Sequence, residues 1–553
     1  MPHVITQSCC SDGSCVFACP VNCIHPSPDE PGFATAEMLY IDPVACVDCG
    51  ACVSACPVGA IAPDTKLEPK QLPFIEINAS FYPKREGKLP PTSKLAPVPD
   101  APQITADRRG PLRVAIVGSG PAAMYAADEL LTQSGVVVNV FEKLPTPYGL
   151  VRAGVSPDHQ TTKRVTWLFD RVTRQRGFTF YLNVEVGKHV DHAELLSHHH
   201  AVLYAVGAPN DRRLDIEGMG MPGSGTATEL VAWINGHPDF TDLPVDLSHE
   251  RVVVIGNGNV ALDVARILTS DPDALARTDI SDDALAALRK SRVQEVVIAA
   301  RRGPAASAFT LPELIGLTST HDVVLDAEDH QRVLSDLVSE SDSSTRAKLE
   351  ILSKVPDAET PTGKPRIRFA FDLTPQRLLG TRSVEGIEFA ATGTDEVRRL
   401  DAGLVLTSIG YRGKAIDGLP FDDDAAVVPN QRGRVDGAAG AYVAGWIKRG
   451  PTGFIGTNKS CAAETVHQLV ADYNGGLLSD PTAKRSALQG LIRDRQPDVV
   501  DAAGWKAIDA AEIARGGSDR PRGKFTTTSE MLAAAASAPA PSLGRRVLDA
   551  LRG

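Results

Sequence analysis

After Cys56 the chain has almost no cysteine. Ten are present, nine lie at or before residue 56, and Cys461 stands alone. This distribution excludes a disulfide framework spread through the protein. The opening MPHVITQSCC lacks the basic and apolar regions of a secretory signal, so oxidised pairs packed into one corner are also disfavoured, and a cytoplasmic protein is expected. No apolar run approaches the roughly 18 residues that span a bilayer. Excess basic charge is missing too: the net charge of −11 leaves no footprint for nucleic acid. What remains is an ordinary globular composition, 43% hydrophobic and 23% charged, whose 553 residues predict several domains.

The clustered thiols are written twice. CVFACPVNCI (Cys15 to Ile24) and CVSACPVGAI (Cys52 to Ile61) are 37 residues apart, and this shift also superposes Cys9 on Cys46 and Cys19 on Cys56. The second copy reads C-x2-C-x2-C-x3-C-P over Cys46, Cys49, Cys52, Cys56 and Pro57. Three thiolates on a tight loop grip one iron–sulfur cluster, and the fourth, before proline, reaches the other. Zinc fits less well, because zinc pairs seldom come as three cysteines in seven residues followed by Cys-Pro. Cys19, Cys46, Cys49 and Cys52 are therefore expected to hold one [4Fe-4S] cluster, and Cys9, Cys15 and Cys56 the other. Asp12 stands where the second copy has Cys49. The first site is then [3Fe-4S], or [4Fe-4S] with an Asp12-bound iron, unless Asp12 is simply a solvated loop acid. Cys10 and Cys23 read as spare or buried thiols, with Cys10 an alternative to Cys9. Residues 1 to 66 resemble two-cluster ferredoxins, the seven-iron kind especially. They carry seven acidic residues and one lysine, which suits a basic docking surface.

Composition divides the chain into an iron–sulfur domain (1–70), a Pro-rich linker (71–110), a first nucleotide domain in two segments (111–208 and 412–535), a second nucleotide domain (209–411) and a low-complexity tail (536–553). VAIVGSGPAA is a strand, a glycine turn and a helix start: Gly118 makes the turn, Gly120 lets backbone approach a pyrophosphate, and Glu142 ends the next strand, where a ribose hydroxyl is read. VVVIGNGNVA repeats the pattern at Gly256, Gly258 and Ala261, but its second strand runs into Arg301 and Arg302, which suit a 2′-phosphate. FAD is expected at the first fingerprint and NADPH at the second. AVLYAVGA and LVLTSIGY read as crossings between the two nucleotide domains.

GSGPAA, PYGLVRAGVSPDH, NVEVG, GNGNVALDVARIL, RRGPAASAFTLPEL and AGWIKRGPTGFIGT occur in the order found in adrenodoxin reductase and its bacterial ferredoxin–NADP reductase relatives. The whole resembles the mycobacterial-type fusion of a ferredoxin with such a reductase. The resemblance implies a multidomain fold, with a ferredoxin-type α+β domain followed by two α/β Rossmann-like domains. It implies FAD contacts at Ala122, Glu142, Leu150, Val186, Trp446 and Gly453, Phe454 and Ile455. NADP contacts are implied at Asn257, Gly258, Asn259, Val260, Arg301, Arg302, Glu313 and Gly453. His159 and Asp263 are implied near the isoalloxazine, positioning water or moving the flavin proton. The implied activity is transfer of a hydride from NADPH to FAD and of single electrons onward to the clusters, or the reverse. A redox protein such as a cytochrome P450 or another ferredoxin would accept them. Two other readings stand beside it: an electron-input subunit like the small subunit of glutamate synthase, and a redox-sensing nucleotide-binding module without turnover. The two halves are expected to be modular, so that loss of residues 1–70 spares hydride transfer.

Overall fold

The computed structural model describes residues 2–83, 95–98, 100–105, 110–359, 363–393 and 396–538. The 37-residue repeat is visible in its backbone. Helices Ser14–Ala18 and Ala51–Ala55 each begin after a glycine at φ 72°, Gly13 and Gly50, and each ends on the cysteine before a proline, Cys19 or Cys56, at φ near −75° and ψ near 115°. Left-handed residues recur in the same register, Ser11 with Asp48 and Asn22 with Gly59. Two short antiparallel pairs close the unit, His3–Ile5 with Ile61–Pro63 and Ile24–His25 with Tyr40–Ile41.

The iron–sulfur domain extends beyond the boundary expected at residue 70. A further helix, Pro73–Ser80, packs on its strands. Phe74 is buried in its core. Asn78 accepts from the backbone N–H groups of Ile5 (3.2 Å) and Ile41 (2.9 Å), and donates to the Ile5 carbonyl (2.8 Å). The Tyr82 hydroxyl donates to the Tyr40 carbonyl at 2.6 Å. The prolines that follow masked this segment in the sequence: PFIEINAS has no strong apolar period, and its hold on the domain is one amide and one ring. Past it, Ala96 is still buried against the iron–sulfur core, whereas Ile104 and Thr105 donate backbone N–H groups to Gln133 and Asn474 of the first nucleotide domain.

That domain is built on a seven-stranded sheet. Leu112–Val117 lies between Val136–Glu142 and Ala201–Tyr204, all parallel, and Phe178–Leu182 extends the sheet beyond Val136–Glu142. Ala441–Val443 pairs with Ala201–Tyr204, so the chain returns to this sheet after an insertion. The insertion is the second domain, six parallel strands in the order Ser224–Thr226, Leu404–Thr407, Arg251–Ile255, Glu295–Ala299, Arg366–Ala370 and Asp322–Val324. Three of its inner strands, Arg251–Ile255, Glu295–Ala299 and Leu404–Thr407, read RVVVI, EVVIA and LVLT, near-continuous apolar runs that follow from burial on both faces. An antiparallel sheet of Leu373–Leu379, Gly386–Ala391 and Val397–Asp401 stands beside it. At the ends of AVLYAVGA and LVLTSIGY, Asn210–Asp211 and Tyr411–Arg412 pair as a two-stranded ribbon.

Two C-terminal helices, Ala502–Gly516 and Thr528–Ala536, complete the first domain, and Met531 is buried in its core. The alanine-rich segment before the expected low-complexity tail is therefore packed helix, and the tail from residue 539 lies outside the described residues. Among the described residues no helix is long and apolar enough to cross a membrane.

Removing the Asn78 side chain leaves two buried backbone donors unpaired, at about 1–3 kcal/mol each. Asn78→Ala is expected to lower the temperature at which the iron–sulfur absorbance is lost by more than it lowers a flavin-release transition measured on the same sample.

Candidate functional site

Each nucleotide fingerprint is shaped by a glycine that no other residue could replace. Gly118 has φ 97°, and a Cβ there would lie 2.5 Å from the Ala205 carbonyl oxygen. Gly256 has φ 110°, with a Cβ 2.2 Å from the Ser408 oxygen. The turns deliver the chain to helices Pro121–Leu131 and Asn259–Thr269, capped by Gly120 and Gly258 without side-chain caps. A Cβ on either capping glycine would meet only open space. Unfilled space before uncapped backbone N–H groups is what a pyrophosphate needs, so the residues fit a dinucleotide at both turns.

Around the first turn the expected flavin residues converge. Glu142 accepts from the Ser119 N–H (3.0 Å), the Ser119 hydroxyl (2.7 Å) and the Leu144 N–H (3.1 Å), while burial pushes its carboxyl up. Gly149 sits against Gly120, and Leu150 after it is 43% exposed, an apolar side chain facing out beside the turn. A Cβ on Gly445 would lie 2.7 Å from the Ala122 Cβ, which brings the C-terminal turn onto the fingerprint helix. The lone late cysteine, Cys461, accepts from the Gly445 N–H at 3.3 Å. Trp446 is half-buried, not a core residue; its indole donates to the Thr452 carbonyl (3.1 Å) and its ring lies 5.0 Å from that of Tyr411. Gly453, Phe454 and Ile455 lead into helix Thr457–Asn474, and the Phe454 N–H donates to the Thr457 hydroxyl at 3.0 Å. Val186 is the exception: it bridges Val190 and packs into the core on the other face of the sheet, not against the fingerprint helix.

At the second turn, Asn259 accepts from the Thr310 N–H (2.9 Å), and Asn257 accepts from the Ala308 N–H (3.4 Å). Gly258 and Val260, beside them, are half-buried at the helix start. Arg301 and Arg302 follow strand Glu295–Ala299, which pairs directly with the strand before Gly256. Both are exposed, and among the described residues neither guanidinium has a side-chain partner.

Between the turns lies a group only partly legible in the sequence. One atom each of His159, Asp263 and Glu313 lies within 4.8 Å of the others. Their organiser is Arg266, buried in the helix that carries Asp263. It donates to Asp158 and Asp263, both at 2.5 Å. Its Nη1 lies 3.7 Å from Glu313 and lacks a hydrogen-bond partner, a buried donor facing the site. Burial raises the Asp263 carboxyl, a shift that Arg266 and His159 oppose. Burial would raise Asp158 as well, but the charges of Arg266 and His159 hold it well below the usual carboxylate range. Arg266 and Asp158 are not among the residues the motifs single out, although ALDVARIL places Arg266 three residues after Asp263, on the same helix face.

The cysteines of the repeat lie in two groups in the folded domain. Cys19, Cys46, Cys49 and Cys52 line one pocket, with His3. Cys23 is buried as expected but also lines that pocket, 3.4 Å from the Cys19 sulfur. Its hydrogen bonds hold the Cys46 thiol down at about 5 and that of Cys19 at about 6, while burial pushes Cys52 up to about 12. Cys9, Asp12, Cys15 and Cys56 form the other group. Burial pushes Cys9 up to about 11, with the charges of Cys56 and Asp12 adding to it, and raises Cys15 in the same way. Several sulfurs gathered in one small domain fit metal clusters, whose charge keeps them as thiolates. Asp12 is not a solvated acid. It is buried, accepts from the Ser14 N–H (3.2 Å) and hydroxyl (2.5 Å), and lies 3.8 Å from Lys459 of the flavin-side domain.

The two halves share a core. Cys10, Val58 and Ala60 pack into the flavin-side core, and the Cys10 carbonyl accepts from the Gly456 N–H at 2.8 Å. Leu311 and Ile315 of the second nucleotide domain are buried in the iron–sulfur core. This packing argues against the expected modularity, because deleting the first domain would expose apolar surface on both nucleotide domains.

Comparison with known proteins agrees with this architecture. Residues 112–300 match the model of the pyridine nucleotide-disulphide oxidoreductase family, and residues 8–60 match the 4Fe-4S dicluster domain. A probable ferredoxin/ferredoxin–NADP reductase of Mycobacterium tuberculosis is 71% identical over 564 residues, covering 100% of this chain and 98% of that protein. The NADPH:adrenodoxin oxidoreductase of Arabidopsis thaliana is 38% identical over 464 residues, covering 77% of this chain and 96% of the relative. The structure of Mycobacterium tuberculosis FprA in complex with NADPH superposes with a TM-score of 0.72 at 42% identity, covering 77% of this chain and 100% of that one. The chain belongs to the ferredoxin/ferredoxin–NADP reductase family, with its iron–sulfur domain fused ahead of the reductase.

Proposed function

We propose that this chain is an NADPH-dependent reductase that delivers electrons through its own iron–sulfur domain to a separate redox protein, such as a cytochrome P450 or another ferredoxin, in the cytoplasm. When bound, FAD supplies the conversion from a two-electron hydride donor to one-electron delivery, and the clusters carry single electrons. The chain's residues supply placement. Arg301 and Arg302 hold the 2′-phosphate, the uncapped start of Asn259–Thr269 holds the pyrophosphate, and Glu313 faces the nicotinamide end beside His159 and Asp263. His159 and Asp263 hold or move the proton at the flavin, with Arg266 and Asp158 fixing their orientation.

The observation that carries this reading is the close approach of Gly456 to Cys10. It puts the flavin turn against the loop that carries Asp12, while the four-cysteine loop presents Val47, Asp48 and Cys49 at the surface, which supports a path from flavin to an outer docking face. The first site is a three-thiolate [3Fe-4S] site, supported by the hydrogen bonds of Asp12 to Ser14 and the nearby Lys459 ammonium, which occupy the carboxylate.

Two measurements test these assignments. Losing a charge-assisted contact to phosphate costs roughly 1.5–3 kcal/mol, or about ten- to 150-fold in affinity. Arg301→Ala with Arg302→Ala is therefore expected to raise the KM for NADPH in ferricyanide reduction by such a factor and to leave that for NADH little changed. Equal losses with both nucleotides would overturn the 2′-phosphate assignment. Asp12→Cys is expected to add one iron per chain and abolish the EPR signal of the oxidised [3Fe-4S] cluster. Unchanged iron and an unchanged signal would show that the repeat register does not extend to cluster type.

A further inference from the structure

Helix Leu311–Thr320 of the second nucleotide domain carries Glu313 in its first turn, and its N-cap residue, Thr310, provides no side-chain cap. The Thr310 hydroxyl is engaged elsewhere: it accepts from Asn259, the first residue of the nucleotide-binding helix, at 3.3 Å. The missing cap comes from the other half of the protein. Glu37 of the iron–sulfur domain accepts from the Leu311 N–H at 2.7 Å and is held by Lys348 at 2.6 Å. A carboxylate there also favours the positive end of the helix dipole. A second residue of that domain, Gln7, donates to the Glu313 carboxylate at 3.1 Å. Gln7 reaches it across Gly316, where a Cβ would lie 2.2 Å from its amide nitrogen. Glycine inside a helix costs up to about 1 kcal/mol relative to alanine, and this approach is what the absent side chain permits.

We propose that the iron–sulfur domain is a working part of the NADP site: Glu37 and Gln7 are positioning residues that fix helix Leu311–Thr320 and aim Glu313. Nucleotide binding and docking of the iron–sulfur domain are then coupled, and by linkage each tightens the other by the same factor. The coupling passes through adjacent residues, since Asn259 holds Thr310 while Glu37 holds Leu311. The proposal rests on the assignment of Glu313 to the nicotinamide end of the NADP site.

The test uses the full-length holoprotein and the dissociation constant of NADP+, read from the perturbation of the flavin absorption spectrum. Glu37→Ala and Gln7→Ala are each expected to weaken NADP+ about five- to tenfold, the lower part of the range for coupled sites. Binding of 2′,5′-ADP, which engages the arginine end only, is expected to change less. Glu37→Gln keeps an oxygen for the Leu311 N–H and is expected to restore most of the affinity, which separates positioning from general loosening. In steady state the KM for NADPH rises by more than kcat falls. As a second measure, NADP+ slows amide hydrogen exchange at residues 35–41 in the wild type but not in Gln7→Ala. If NADP+ binds both alanine variants within twofold of wild type while Glu313→Gln weakens it, the coupling is wrong and the NADP assignment stands. If Glu313→Gln also leaves binding unchanged, both are wrong.

Discussion

The contact at Gly456 sets the working geometry of the molecule. A Cβ at this position would lie 2.2 Å from the Asp12 nitrogen and 2.4 Å from the Cys10 oxygen, so only glycine lets the flavin turn and the first iron–sulfur loop touch backbone to backbone. Electron tunnelling falls off exponentially with distance, and any side chain here would push the two redox sites apart. The rest of the docking preserves this approach. Cys10, Val58 and Ala60 bury apolar surface beside it, and the second nucleotide domain grips the opposite flank through Leu311 and Ile315.

Charge assists that docking without dominating it. Lys459 lies near Asp12, Lys348 pairs with Glu37, and Arg164 packs against Gly59. Partly exposed pairs of this kind contribute modestly to stability. Because the halves share a chain, docking is intramolecular at an effective concentration in roughly the millimolar range, and modest contacts suffice. Of the seven acidic residues in residues 1–66, Asp12 and Glu37 meet lysines of the reductase, whereas Asp48 is exposed on the outer face.

A second constraint fixes the two nucleotide domains relative to one another. Lys163 and Lys524 of the flavin-side domain both bind Asp279 of the inserted domain, at 2.8 and 2.9 Å, and both also donate to Asn235. Burial drives both ammonium groups down in pKa, opposed by Asp279, whose own carboxyl the two lysines hold well below the usual range. Asp158 and Arg266 make a further buried bridge between the domains. Such pairs pay a large desolvation cost, and their value here is orientation: each is satisfied at one relative placement of the two domains, the one that brings Glu313 to His159.

The sequence by itself determined the parts that depend on local chemistry. Cysteine spacing predicted which thiols gather together, because loop geometry is written into C-x2-C-x2-C, and the backbone repeats it as left-handed residues 37 positions apart. Glycine turns marked the two nucleotide folds, because Gly118 and Gly256 meet the carbonyl oxygens of Ala205 and Ser408 just past the ends of neighbouring strands that the same α/β pattern predicts. Arg266 in ALDVARIL was within reach of the helical period, yet its partner Asp158 lies more than 100 residues away on another domain. Only the tertiary structure decided how the halves meet: PFIEINAS became part of the iron–sulfur domain through Asn78, and Asp12 became a buried acid beside Lys459. Glu37 and Gln7 reached across to Leu311 and Glu313, some 300 residues along the chain. Spacing and periodicity encode what a segment does with its neighbours in sequence. Contacts between surfaces of separate domains leave no period, because each surface collects residues from several distant segments and is matched only by shape and charge once all of them have folded.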